Sequence, residues 1–166
     1  MATTYVNWGK SRVKLTWQAS DQLPDGSLIT SVHGFCFNKH GKLLMVDLND
    51  RGWDFPGGHI EKDETPLQCI KREAYEEGYV SGDCLLIGSV IVDHTNNPNF
   101  NPDGPYPKVG YQVFYRMDIK TTHPFKANYE AKRRTFIDPT EVANYYPNWH
   151  VVYQSAMRRC IFRRGR

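Results

Sequence analysis

The chain has 166 residues, 40% of them hydrophobic and 23% charged, which suits one domain over residues 1–166 with a buried apolar core. No stretch approaches the ~20 consecutive apolar residues of a membrane span, and the N-terminus lacks an apolar signal region, so the expectation is a cytoplasmic protein with no membrane partner. A mild net charge of +3 does not single out nucleic acid as a partner, and the scattered Cys36, Cys69, Cys84 and Cys160 argue for reduced thiols rather than zinc.

Residues 12–18 alternate in the manner of a strand, and residues 28–37 and 42–48 read as two strands joined by the turn Asn38-Lys39-His40-Gly41. A hairpin is therefore expected ahead of the Pro56-Gly57-Gly58 turn. Thr65 and Gln68 have the spacing of a capping box and Pro66 suits the first helical position, so a helix should start at Pro66 and stop near Gly78. Its apolar stripe, Leu67, Ile70 and Ala74, can pack on a sheet. Residues 85–92 and 109–119 read as strands, and the Asn-, Pro- and Gly-rich residues 93–108 between them as a long loop. A short strand is expected at 135–137, then a helical turn capped by Asp138 or Thr140. A C-terminal helix over 148–164 would align Val151, Val152, Ser155, Ala156, Arg159 and Cys160. Strands with few helices make the class α+β. Arg158, Arg159, Arg163, Arg164 and Arg166 suit a solvated helix end, with nucleic-acid contact as the alternative.

Within the predicted helix, Glu73, Glu76 and Glu77 share an arc ~100° wide, where like charges three and four residues apart repel. A hard divalent cation reverses that repulsion, since carboxylate oxygens are the ligands that Mg²⁺ and Mn²⁺ prefer. Arg72 is placed to hold carboxylates in fixed rotamers.

Gly58, five residues, Glu64, seven residues, then Arg72-Glu73-x-x-Glu76-Glu77 resembles the signature of the Nudix (MutT-like) hydrolases, and Trp53-Asp54-Phe55-Pro56-Gly57-Gly58 is similar to the strand and turn before it. The resemblance covers roughly residues 27–159, with the signature at 58–80. It implies the Nudix fold, a mixed β-sheet between helices in an α/β/α sandwich. It also implies a Mg²⁺- or Mn²⁺-dependent pyrophosphohydrolase that cuts a phosphoanhydride bond of a nucleoside diphosphate linked to another moiety. Carried over by position, the Gly57 carbonyl, Glu73 and Glu77 are metal ligands, with Glu76 bound directly or through water. Arg72 orients the carboxylates, while Gly58 and Glu64 are supporting members. The general base is either one of these glutamates or a carboxylate from a later loop or strand. Two departures stand out: Gly78 comes one place earlier than the family glycine, which suggests a left-handed helix exit at Gly78, and Ala74 replaces a larger aliphatic residue.

A polyphosphate is repelled by carboxylates unless cations lie between, and those cations also acidify the attacking water. Outside the signature, Asp118 is either a further acidic ligand or a solvated strand-end carboxylate, and Glu130 either approaches the site or stays in solvent. Asp93, His94 and Asp103 are weaker candidates. Trp53 and Tyr106 are candidate substrate contacts, because aromatic rings stack on bases. Two other functions stay open: an inactive nucleotide-binding sensor of the same fold, and removal of pyrophosphate from RNA 5′ ends. A homodimer is compatible with all of them.

Overall fold

Apolar residues at every second position decide which face each strand buries, and the computed structural model, which describes residues 1–163, shows the result. Strands β1 (Thr3–Trp8) and β2 (Ser11–Ala19) form a hairpin in which Trp8 opposes Ser11, so only Gly9 and Lys10 make the turn. Gly9 takes φ 64°, a conformation that tight hairpins demand and glycine supplies. Strands β3 (Ile29–Phe37), β4 (Leu43–Leu48), β5 (Gly52–Asp54) and β6 (Gly57–Gly58) lead into helix α1 (Pro66–Gly78). Strands β7 (Val80–Asp93), β8 (Val109–Thr122) and β9 (Ala131–Ile137), a 3₁₀ turn at Pro139–Asn144 and helix α2 (Val151–Phe162) complete the described chain. Arg164 and Arg166, part of the expected basic helix end, lie outside the described residues.

The sheet runs β1-β2-β7-β8-β3-β4-β5, with β6 added to β3 and β9 to β4. The β3–β8 pair is parallel and the other pairs are antiparallel, so the sheet is mixed. On one face α1 buries Cys69, Ile70 and Ala74 against Val32, Leu44, Val113 and Met117. On the other, α2 buries Val152, Ala156, Met157 and Cys160 against Val13, Leu15, Phe35 and Phe114. This is the α/β/α sandwich expected from the sequence.

Four expectations need correction. The 28–37 and 42–48 segments are strands, but they pair only at Phe37 and Leu43. Strand β3 spends its length beside β8 instead, and β4 beside β9, because β4 is buried along its whole length and needs neighbours on both edges. Strand β1 was not expected, since four of its six residues are exposed and its apolar signal is weak. Helix α2 starts at Val151 rather than at 148, because Asn148 has φ 58° and the His150 side chain caps the helix by accepting from the Tyr153 N–H at 3.3 Å. Its buried side is Val152, Tyr153, Ala156, Met157 and Cys160, leaving Val151 exposed.

The fourth correction concerns the end of α1. Tyr79, not Gly78, is the left-handed residue, with φ 54° and ψ 41°. Tyr79 is held there by burial and by its hydroxyl, which accepts from the Asn128 N–H at 2.9 Å. Gly78 stays helical, and its role is space: a Cβ there would lie 2.6 Å from Cδ2 of the fully buried Leu44. Gly78→Ala is therefore expected to destabilise by about 1 kcal/mol or more, overpacking outweighing the helix propensity gained. A lowered urea midpoint at unchanged slope checks this.

Candidate active site

Two glycines let the backbone approach groups that any side chain would displace. At Gly57, paired with His33 on β3, a Cβ would fall 2.5 Å from the His33 Nδ1. At Gly58 it would fall 2.6 Å from Glu73 Oε1. The turn is anchored from behind by the Gly34 N–H, which donates to the Pro56 carbonyl at 2.9 Å. Helix α1 is fixed by the predicted capping box, in which Thr65 Oγ1 accepts from the Gln68 N–H and Gln68 Oε1 accepts from the Thr65 N–H. These two elements face each other across the signature residues.

Arg72 organises that interface. Its Nε and Nη2 donate to the two oxygens of Glu64 at 2.7 and 3.0 Å. Its Nη1 reaches Glu73 Oε1 at 2.6 Å and Glu76 Oε2 at 3.3 Å, and Nη2 reaches the His59 carbonyl at 3.2 Å. Glu61 joins at 3.6 Å, a member that the sequence reading missed. Charge-assisted bonds from Arg72 hold the Glu64 carboxyl down at about 2.

Glu77 is the unusual group. It is 2% exposed; Oε1 accepts from the Gly57 N–H at 2.9 Å, and Oε2 is buried with no hydrogen-bond partner. Burial pushes its carboxyl up to about 8, with the bond from Gly57 opposing. Burial also raises Glu73, against the pull of Arg72. An orphaned carboxylate oxygen in a buried site costs free energy unless something positive meets it.

The predicted members Gly57, Gly58, Glu64, Arg72, Glu73, Glu76 and Glu77 are thus brought together. Asp118 is not. It accepts from Arg116 at 2.8 and 3.1 Å and lies opposite Phe37, whereas Gly57 lies opposite His33. Four residues of strand separate the two positions along β3, about 13 Å. Arg116 itself is buried and also donates to the Cys160 carbonyl at 2.8 Å, so this pair ties β8 to α2. Trp53 is occupied by protein partners, Tyr145 at 5.6 Å and the Arg133 guanidinium at 4.9 Å. Tyr106 is half exposed and lines a cavity of about 270 Å³ with His59, Ser31 and Gln112. Asp93 and His94 are engaged within their own loop, with the Thr95 N–H and with Asn97, and Asp103 is exposed.

Sequence reasoning also missed Arg51 and Asp54. Both lie close enough for their charges to act on Glu77, and Glu130 is close enough to act on Glu73. Arg51 bridges to Glu130 at 3.5 Å, with both side chains largely exposed. Asp54 was legible only as a neighbour of the Pro-Gly-Gly turn, and Arg51 had no signal beyond its charge.

Among the described residues, no three Asp, Glu, His or Cys side chains already converge as a metal-ligating group. Arg72 draws one oxygen each of Glu73 and Glu76 to itself. The unpartnered Glu77 oxygen and the desolvated Glu73 nevertheless fit a hard cation, whose preferred donors are carboxylate oxygens. Removal of metal should therefore show in stability. The folded Glu77 carboxyl titrates near 8, above its ordinary 4.5, so its stability contribution is full below about 4.5 and is lost as pH rises through 8. The metal-free protein should lose on the order of a few kcal/mol between pH 5 and pH 9, and Mg²⁺ or Mn²⁺ should restore it. Urea unfolding at several pH values, with and without metal, checks both halves.

The NUDIX domain family model matches residues 28–158. The chain belongs to the Nudix hydrolase family. A MutT-like protein of Streptomyces ambofaciens is 44% identical over 48 residues, 28% of this chain and 31% of that protein. An 8-oxo-dGTP diphosphatase of Proteus vulgaris is 45% identical over 42 residues, 25% of this chain and 38% of that protein. These alignments span only about a third of the length of the curated relatives. The Bacillus subtilis pyrophosphohydrolase BsRppH shares the fold at a TM-score of 0.71 and 19% identity, over 98% of this chain and 97% of that one. The NUDIX domain of Shewanella oneidensis NrtR, solved with ADP ribose, does so at 0.56 and 17%, over 78% of this Nudix chain and 87% of that one. At such identities the structural likeness is one of fold.

Proposed function

We propose that this Nudix protein is a Mg²⁺- or Mn²⁺-dependent pyrophosphohydrolase that cleaves a phosphoanhydride bond in a nucleotide by attack of water. The observation that carries the proposal is Glu77, buried with one oxygen on the Gly57 N–H and the other unpartnered beside a second desolvated glutamate. Glu73, Glu76, Glu77 and the Gly57 carbonyl would hold the cation. When bound, such a cation neutralises phosphate charge and lowers the pKa of water far below its bulk ~15.7.

The remaining steps belong to the chain's own groups. Arg72 sets the carboxylate rotamers, and Glu64 in turn fixes Arg72 through two parallel bonds. Gly58 lets the backbone come against Glu73, which keeps that carboxylate at the edge of the cleft. Behind the Pro-Gly-Gly turn, the Phe55 ring packs edge-on against Phe35, which lies beside Phe114 in the core. The nucleotide class is supported by the names of relatives, one a diphosphatase of 8-oxo-dGTP and one solved with ADP ribose. Release of phosphate or pyrophosphate from a nucleotide panel with Mg²⁺ tests the reading. No release across that panel, with nucleotide binding retained, would leave the sensor alternative in its place.

A further inference from the structure

Glycine at position 57 makes room for a histidine. His33 on β3 lies opposite Gly57 on β6, and its Nδ1 stands 2.5 Å from where a Cβ at Gly57 would be, so the imidazole fills the space of the missing side chain. Two further contacts fix the ring. Nε2 bonds the Ser31 hydroxyl at 2.8 Å, and the imidazole stacks on Phe114 with ring centroids 5.2 Å apart and planes 24° from parallel. Nδ1, by contrast, has no hydrogen-bond partner among the described residues, and His33 is only half-buried. One nitrogen thus holds the ring in place and the other is left for a ligand.

That nitrogen lies between the glutamates and the cavity beside them. On one side the Gly57 N–H holds Glu77 Oε1 at 2.9 Å, so His33 and the buried glutamate flank the same residue. On the other, Ser31 lines the cavity of about 270 Å³ with His59, Tyr106 and Gln112. The charges of Arg51 and His59 are close enough to act on the ring. Phosphate oxygens need donors as well as cations, and the two arginines near the glutamates are committed elsewhere. Arg72 serves Glu64, Glu73, Glu76 and the His59 carbonyl, and Arg51 bridges to Glu130. A serine hydroxyl can donate or accept, so Ser31 can give its hydrogen to Nε2 and leave one on Nδ1. A cationic ring carries a hydrogen there too, so this donor does not depend on titration. Fixed before the substrate arrives, it needs no reorganisation to act.

We propose that His33 Nδ1 donates a hydrogen bond to a phosphate oxygen of the substrate, between the Gly57 carbonyl and the cavity over Ser31. This rests on the pyrophosphohydrolase reading and adds a substrate-contacting residue to it, with Ser31 as the positioning residue that aims the ring. The test compares kcat/KM with Mg²⁺ on the nucleotides that the parent protein cleaves. His33→Leu keeps an apolar filler of similar size and removes the donor, so kcat/KM should fall about ten- to hundred-fold, as expected for one hydrogen bond to a charged group. His33→Asn puts an amide N–H near the place of Nδ1 and should regain most of that loss. Ser31→Ala should lower kcat/KM in the same direction by less, and should add nothing to His33→Leu, because it acts through the ring. The thermal shift on adding Mg²⁺ without nucleotide should be the same in the parent and in His33→Leu, since the contact is with substrate.

An unchanged kcat/KM in His33→Leu would overturn the proposal and leave the hydrolase reading standing. A loss that His33→Asn does not relieve would overturn it too, and so would a His33→Leu protein without the Mg²⁺ shift, because the histidine would then serve the Gly57 carbonyl. If His33→Leu does not fold, Ser31→Ala decides: a lowered kcat/KM with the Mg²⁺ shift intact supports the contact, and parental kcat/KM overturns it. If the parent cleaves no nucleotide, the hydrolase reading falls, and binding of inorganic triphosphate in Ca²⁺ takes its place as the readout. Weaker binding to His33→Leu than to the parent and to His33→Asn supports the contact; equal binding overturns it.

Discussion

Glu77→Gln should lower kcat/KM by at least about a hundred-fold while the protein stays folded. The glutamine side chain has the same shape, and its carbonyl oxygen can accept the Gly57 N–H bond that Glu77 Oε1 accepts now at 2.9 Å. What disappears is the negative charge on the buried oxygen that has no partner. Replacing groups that only support metal ligands costs 10–100-fold, so a ligand itself should cost no less. The same substitution has a second, opposite signature. Without metal, the buried carboxylate is a liability above pH 8, and an amide there carries no charge to desolvate. The variant should therefore be more stable than the parent in EDTA at pH 9, lose the decline of stability with pH, and show no thermal shift on adding Mg²⁺. Full activity in Glu77→Gln would sink the ligand assignment.

The parts of the site legible in the sequence are those whose signals are local. Helix α1 announced itself through Thr65, Pro66 and Gln68, and its three glutamates through their spacing, because a helix converts sequence separation directly into direction. Tyr79 shows the limit of that reasoning. Left-handed backbone is ordinarily read from glycine, and here burial and the bond from Asn128 place a tyrosine in it. Non-local pairing was also out of reach. The parallel β3–β8 contact joins Ile29 to Tyr111 and Phe37 to Asp118, so Asp118 could be placed on a strand but not at the correct distance from Gly57. Cavities are farther still from sequence, since Trp8, His59, Tyr106 and Gln112 meet only once four separate segments have packed.

Arg72→Ala should strongly destabilise the protein, and Arg72→Lys should separate its two causes. In the native protein one guanidinium makes six bonds, to Glu64 twice, to Glu73, to Glu76, to the His59 carbonyl and, at 3.7 Å, to Cys69 Sγ. Removing it leaves Glu64 and Glu73, whose side chains are 11% and 14% exposed, as desolvated charges of the same sign. Losing one partner of such a partly buried network costs about 2–4 kcal/mol, toward the lower part of the range for fully buried pairs. Divalent metal should recover some of that loss, since a cation then answers the charges that Arg72 answered. Arg72→Lys keeps the positive charge but not the planar fork, so most of the stability should return while activity stays about 10–100-fold down, with more metal needed for half-maximal rate. Acid unfolding offers an independent readout. Glu64 titrates near 2 in the folded protein, below its ordinary 4.5, so its contribution is present above about 4.5 and is lost as pH falls through 2. Arg72→Ala should flatten that acid limb, whereas Arg72→Lys should keep part of it. An alanine variant as stable and as active as the parent would mean that the carboxylates hold their positions without the clamp.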